Sequence, residues 1–222
     1  MVPPPDRQRN PLRTRAAILD AAAILFAERG YAATSLADVG ARAGVSRGAP
    51  GYCFGSKAEL YRAVLERAIE DVRAAVRSGR ERALASGRSS DDILAGAIGE
   101  YFDYLHSHPM FVRLIERAAL GGEALPDGLR PAIYAGQEAV AAIAEAAGLD
   151  AAPGSDASQL LLSMISLCWF PVVHRHTVAP AIGVDLESSA GIERRRQHIM
   201  AFVLGGVRSL AETVSPHQIR GA

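Results

Sequence analysis

The chain has 222 residues, of which 49% are hydrophobic and 22% charged, and its 24 Lys and Arg balance 24 Asp and Glu. That length suits one large domain or a small domain joined to a larger one, and the apolar content supplies a core without disulfides. A zero net charge excludes a uniformly basic nucleic-acid binder, but the charge is unevenly placed: residues 1–82 carry 14 Lys and Arg against 9 Asp and Glu, and residues 83–222 carry 10 against 15. A basic front and an acidic back suit a chain with one end on phosphate and the other facing solvent, a partner subunit or a ligand. The longest apolar runs, residues 160–165 and 167–173, fall short of the roughly 20 residues of a membrane span. Pro3–Pro5 and the charges after them lack the apolar segment of a signal peptide, so a cytoplasmic protein with no membrane partner is expected. Cys53 and Cys168 have no zinc or redox spacing and are read as free thiols.

Residues 1–9 show no periodicity and read as an arm. A first helix starts either at Asn10-Pro11, with Asn as cap, or at Thr14; Ile18, Ala22, Leu25 and Phe26 mark its buried face and Gly30 its end. The stretch Thr34–Lys57, TSLADVGARAGVSRGAPGYCFGSK, then reads as two short helices around a tight turn. Ser35 and Asp38 have capping-box spacing, and Leu36, Val39 and Ala43 share a face. Gly44 takes the left-handed conformation that ends the helix, and Val45 points inward. The second short helix begins at Ser46 as cap or near Ala49, where Pro50 would be favoured. Helix, Gly-containing turn and short helix form the unit that enters the DNA major groove.

Ser56 and Glu59 form a second capping box, opening a long helix to about Ala85 with Leu60, Val64, Ala68, Val72 and Val76 on one face. After a break at Ser86–Ser90, helical stripes run over Ile93–Leu105, stopped by His108-Pro109, over Phe111–Ala118, stopped by Gly121-Gly122, and over Gly128–Ala147. A strongly apolar helix spans Asp156 to about His174, interrupted near Pro171. A loop, Thr177–Gly191, precedes a last helix to about Thr213. With no strand pattern and no repeat, the fold class is all-α with about nine helices.

With these elements in place, residues 13–67 resemble the TetR family of transcriptional regulators. The resemblance rests on the string ILDAA…LF…GY.ATS…D…AGVS.G….F.SK..L…V. It implies that Thr34 and Ser35 form a helix N-terminus that meets phosphate, and that Ser46, Arg47 and Gly48 start the recognition helix. Tyr52 and Lys57 match positions that touch bases or backbone in relatives. Where the family commonly has Thr-Leu-Tyr this chain has Ala49-Pro50-Gly51, and Cys53 replaces a frequent Tyr or His. Base readout then rests on Arg47, Tyr52 and Ala49 against a thymine methyl, with Gly51 admitting a closer backbone approach to phosphate. The resemblance also implies a helical ligand-binding and dimerisation body, divided from the head at residue 56.

Four further patterns complete the reading. Gly44-Val45-Ser46-Arg47-Gly48 matches the hydrolase Gly-x-Ser-x-Gly pattern without the strand that pattern needs, so no catalytic residue is assigned. His106-x-His108 and His174-x-His176 read as helix-end histidines; no metal and no cofactor are expected. Tyr101, Tyr104, Phe111, Arg117, Tyr134, Gln137, Met164 and Trp169 are candidates for lining a ligand cavity between helices. Leu161, Ile165, Cys168, Ile199, Phe202, Val203, Gly206 and Leu210, on the last two long helices, are candidates for a dimer interface, since a major-groove reader of this size needs two half-sites. The expected function is a homodimeric regulator that represses at a palindromic double-stranded DNA operator and is released by a small molecule, through the tilt of the fourth helix. A DNA-organising protein without a ligand, or a helical enzyme, is the alternative.

Overall fold

The computed structural model describes residues 11–87, 89–120 and 130–214, all of whose regular structure is α-helical. The elements are α1 (Pro11–Arg29), α2 (Leu36–Arg42), α3 (Ala49–Phe54), α4 (Lys57–Ala85), α5 (Ser90–Ser107), α6 (Pro109–Leu120), α7 (Arg130–Ala147), α8 (Asp156–Val173), α9 (Val178–Ala181) and α10 (Ser189–Val214). The expected loop Thr177–Gly191 holds the one-turn α9 and yields its last three residues to α10, so ten helices stand among the described residues in place of nine. The chain forms two compact units, one running through Ala68 and including α6 from Arg113, the other made of Ile69–Val112 and α7 to α10. This division does not follow a boundary at residue 56, because Leu60, Tyr61, Val64 and Leu65 of α4 are buried in the first unit.

In the first unit α1 begins at Pro11, so Thr14 lies inside the helix and is not its cap. Its buried face is Ile18, Ala21, Ala22, Leu25, Phe26 and Ala27, spaced at the helical period;. Phe26 meets the edge of Tyr61 at 4.9 Å, and Tyr61 lies 5.0 Å from Tyr31, which ties α1 to α4. The α2 capping box is formed in full: the Ser35 hydroxyl accepts from the Asp38 N–H, and the Asp38 carboxylate accepts from the Ser35 N–H. At its other end Gly44 has φ +66°, the Val45 N–H donates to the Gly40 carbonyl and the Gly44 N–H to that of Ala41. Those two bonds are the paired 6→1 and 5→2 bonds of a Schellman ending, which satisfies two otherwise orphaned carbonyls.

The second unit is built round α5, which packs against α7, α8 and α10. A third capping box, Ser89 with Asp92, after those at Ser35 and Ser56, starts α5, and His108 closes it. Leu94, Ile98, Phe102 and Leu105 of α5 join Val112, Ile143, Leu160, Met164, Cys168, Val172, Ile199, Val203 and Val207 in one core. By length and composition α8 is the one described helix that meets the limits of a membrane span, with mean hydropathy 1.4, yet Ala157, Leu160, Met164, Cys168, Pro171 and Val172 bury one side of it in this core.

Pro171 sits in the last turn of α8. Having no N–H, it cannot bond the carbonyl of Leu167 four residues back. The guanidinium of Arg195 on α10 fills that vacancy, donating to the Leu167 carbonyl at 3.2 Å. One helix thus borrows from its neighbour the donor its own sequence removed.

Two stability effects should follow. Nothing lies within 4 Å of a Cβ placed on Gly44, so Gly44→Ala meets only the strain of positive φ. It should lower unfolding free energy by about 1–2 kcal/mol in a urea titration, with Gly44→Asn losing less. Arg195→Met should cost about 1–3 kcal/mol by orphaning the Leu167 carbonyl. In the Pro171→Ala background, where the backbone donor returns, the same change should cost less. Equal losses in both backgrounds of this double-mutant cycle would place the role of Arg195 elsewhere.

Candidate nucleic-acid interface

Six residues make up α3, and its two faces are chemically unlike. Pro50 and Phe54, four apart, are buried;. Ala49 and Tyr52, three apart, lie on the other side, and Tyr52 is 94% exposed. Gly48 is the N-cap and makes no side-chain cap bond, and Pro50 sits in the first turn where its missing N–H has no helical partner to lose;. The helix therefore begins at Ala49 and Ser46 is not its cap; Ser46 lies in the preceding turn, its carbonyl accepting from the Ala49 N–H at 3.0 Å. Ser46, Arg47 and Gly48 are all exposed in that turn. A Cβ on Gly51 would point at Leu36 of α2, 3.8 Å away, so Gly51 faces the protein and offers no closer approach to phosphate.

At the start of α2, Thr34 is buried at 2% exposure, and its hydroxyl contacts the carbonyls of Gly30 at 2.8 Å and Leu25 at 3.3 Å. That hydroxyl closes the end of α1 and does not reach the surface. Ser35 is exposed, but its N–H and hydroxyl both donate to the Asp38 carboxylate, at 3.1 and 2.6 Å. Those bonds hold the Asp38 carboxyl below the usual carboxylate range, the Ser35 hydroxyl contributing most. Donors for an anion at this end are thus the first-turn backbone N–H groups rather than the Ser35 side chain. Lys57, half-buried, sets its ammonium 4.3 Å over the Tyr31 ring and 3.3 Å from the Ala32 carbonyl. An ammonium has three donors, so this anchorage aims it without saturating it.

Three residues of this region escape sequence reasoning. A Cβ on Gly40 would lie 3.0 Å from the Ser46 carbonyl oxygen and 3.3 Å from the Arg47 Cα, so a larger residue would have to push the turn back from α2 by a few tenths of an ångström. A lone glycine inside a helical pattern was the available signal. Arg15 of α1 donates to the Cys53 carbonyl at 2.8 Å and stacks on Phe54 at 4.0 Å. Tyr31 is the platform for Lys57. Neither of the last two contacts leaves a trace in local spacing.

The candidates in the body sort by unit and by burial. Met164 belongs to the core of the second unit, with Tyr101, Tyr104, Phe111 and Trp169 packed against it. Tyr104, Phe111 and Trp169 form an edge-to-face series, at 5.4 and 5.9 Å between centroids. Burial raises the Tyr101 phenol above its ordinary pKa and pushes the Cys168 thiol up to about 12, so both are neutral. Arg117 does not join this group: it lies in the first unit, its guanidinium donating to the Glu28 carbonyl at the end of α1. Gln137 is exposed, and the side chain of Tyr134 lies outside the described residues.

Among the dimer candidates, Cys168, Ile199 and Val203 are 0–2% exposed and face the core, so they cannot form a surface. Leu161, Gly206 and Leu210 are half-buried, and Ile165 and Phe202 are exposed. Leu162, 59% exposed, lies beside Ile165 on α8, an apolar position the sequence reading did not select. His108 and His174 are the C-caps of α5 and α8, and among the described residues no group of three His, Cys, Asp or Glu is placed to hold a metal.

Comparison with known proteins agrees with this layout. Residues 18–64 match the sequence profile of bacterial regulatory proteins of the tetR family, and residues 91–203 that of the tetracyclin repressor-like C-terminal domain. The HTH-type transcriptional repressor SCO4008 of Streptomyces coelicolor is 31% identical over 170 residues, 74% of this chain and 82% of that protein. The HTH-type transcriptional activator FasR of Mycolicibacterium smegmatis is 35% identical over 101 residues, 46% of this chain, and the match spans less than half, 44%, of FasR. The fatty acid degradation regulator FadR of Bacillus halodurans shares the fold, with TM-score 0.68 and 14% identity over 88% of this chain and 96% of FadR. With both profiles matched in order, the second over half of its length, the chain belongs to the tetR family of DNA-binding transcriptional regulators.

Proposed function

We propose that this regulator is a homodimeric repressor, not an enzyme, that reads a palindromic operator in the cytoplasm and leaves it when an apolar or amphipathic small molecule binds the helical body. The observation that carries the reading is the outer side of α3 and its leading turn: Tyr52 is almost fully exposed and Arg47 exposed, while Pro50 and Phe54 hold the inner side. A phenol and a guanidinium on a fixed helix suit base edges in the major groove, with Ala49 against a thymine methyl. Lys57, Ser46, Gly48 and the α2 N-terminus at Ser35 serve the backbone. The head takes in α1 to α3 and the start of α4.

Support for repression comes from SCO4008, named a repressor and matched over most of its length, although FasR is named an activator. Support for an apolar ligand comes from the aromatic series Tyr104, Phe111 and Trp169 beside Tyr101 and Met164, and from a fold shared with a fatty acid degradation regulator. Residues of α4 belong to both compact units, which makes its tilt a path for coupling; about 1–3 kcal/mol of differential affinity would change operator occupancy 5- to 150-fold;. Dimerisation runs through the outward positions Leu162, Ile165 and Phe202, with Leu161, Gly206 and Leu210 at the margin.

Selection of bound duplexes from random DNA tests the central claim. Tyr52→Ala and Arg47→Ala should each lose about 1–3 kcal/mol of preference for the selected sequence over random DNA. Unchanged preference in both would remove α3 as the reader, and a wild-type chain that enriches nothing would leave a DNA-organising protein. Phe202→Glu should give a monomer in sedimentation with its helix content intact. A Phe202→Glu chain that remains dimeric would move the interface off this face.

A further inference from the structure

A recognition helix must hold its aim, and α3 cannot do so alone. It has six residues, a glycine in the middle and no side-chain cap at its start. Helices this short are not stable by their own backbone bonds. Pro50 and Phe54 bury its inner face, but neither side chain bonds the backbone of its last turn. Arg15 supplies what is missing. From α1, anchored in the core one turn later by Ile18, its guanidinium donates to the Cys53 carbonyl at 2.8 Å and lies 4.0 Å over the buried Phe54 ring. The bond fastens the Cys53–Phe54 peptide, one residue beyond Tyr52, and the stacked ring opposes axial rotation. A planar cation does both at once, which an ammonium on a flexible stem cannot.

We infer that Arg15 is a positioning residue for base recognition: it clamps the last turn of α3 so that Tyr52 and Arg47 keep their aim, and it reads no base itself. This rests on α3 being the base-reading helix, and the test separates the two. The full-length chain and its Arg15→Lys and Arg15→Met variants are titrated with the duplex that the wild type selects from a random pool and with a random-sequence duplex, each across a salt series. In both variants the ratio of the two affinities should fall about tenfold, with random-duplex affinity and salt slope unchanged.

Equal weakening on both duplexes with the salt slope reduced by about one, retained by Lys and lost by Met, would make Arg15 a phosphate contact and overturn the inference. An unchanged ratio with a lowered Tm would make it a stability element only, and overturns it equally. Should Arg15→Met fail to fold, Arg15→Lys, which keeps stem and charge, carries the measurement. A wild-type chain that enriches no sequence would refute base reading by α3 itself, whereas discrimination kept by wild type and Arg15→Lys alike refutes only the clamp.

Discussion

The closure of one turn onto α2 governs the head of this protein. Gly40 lets the Ser46 carbonyl and the Arg47 backbone approach to a distance that a Cβ would crowd, and Gly44 turns the chain through positive φ to bring them there. That approach sets where α3 starts, which face Pro50 and Phe54 bury, and therefore which way Tyr52 points. The Ala49-Pro50-Gly51 run, unlike the family's usual residues, makes sense in these terms. Pro50 packs 3.5 Å from the Cβ position of Gly40, and Gly51 faces Leu36, so two of the three replacements serve packing and only Ala49 looks outward.

The same frame explains how charge is handled at the head. Exposed ion pairs such as Arg67 with Asp20 contribute little by themselves;. More consequential are the cations given a fixed place by aromatic rings: Lys57 over Tyr31 and Arg15 over Phe54. Both rings pack on the first unit's core side chains or belong to them, so each charge inherits the rigidity of that core. Asp38, held ionised by Ser35, sits at the α2 N-terminus where the helix dipole favours it, and it occupies both Ser35 donors;.

In the body, α8 carries a comparable constraint. It is apolar on nearly every side because one side enters the core while Leu162, Ile165 and Phe170 look outward. Pro171 removes a backbone donor from a part-buried turn, and Arg195 restores it across to α10. Cys168, buried beside them with its thiol pushed up to about 12, is neutral and unreactive, a packing residue in a helix that sequence alone marks for contact;.

Much of this was legible in the sequence, for reasons of locality. Helix starts at Ser35 and Ser56 and the ending at Gly44 depend on residues within four positions of each other, and local hydrogen bonding enforces them, whereas the equally local cap at Ser89 lay within what read as a break. Where local readings competed, only the assembled backbone put Thr14 inside α1 and chose Ala49 over Ser46; Asn10, the other candidate cap, lies outside the described residues. Burial was not legible in the same way. Thr34 looked like a phosphate ligand and is sealed against α1, while Cys168, Ile199 and Val203 looked like interface and are core. Apolar periodicity says that a face is covered without saying what covers it, since core and partner impose the same pattern. Arg15, 38 residues from Cys53, and Arg117, 89 residues from Glu28, take their roles from contacts that exist only once the chain has folded. The sequence by itself determined that two short helices flank a glycine turn in the family's DNA-binding pattern; tertiary packing alone decided where the second begins, which side chains face out and what holds them still, because direction is a property of the neighbours.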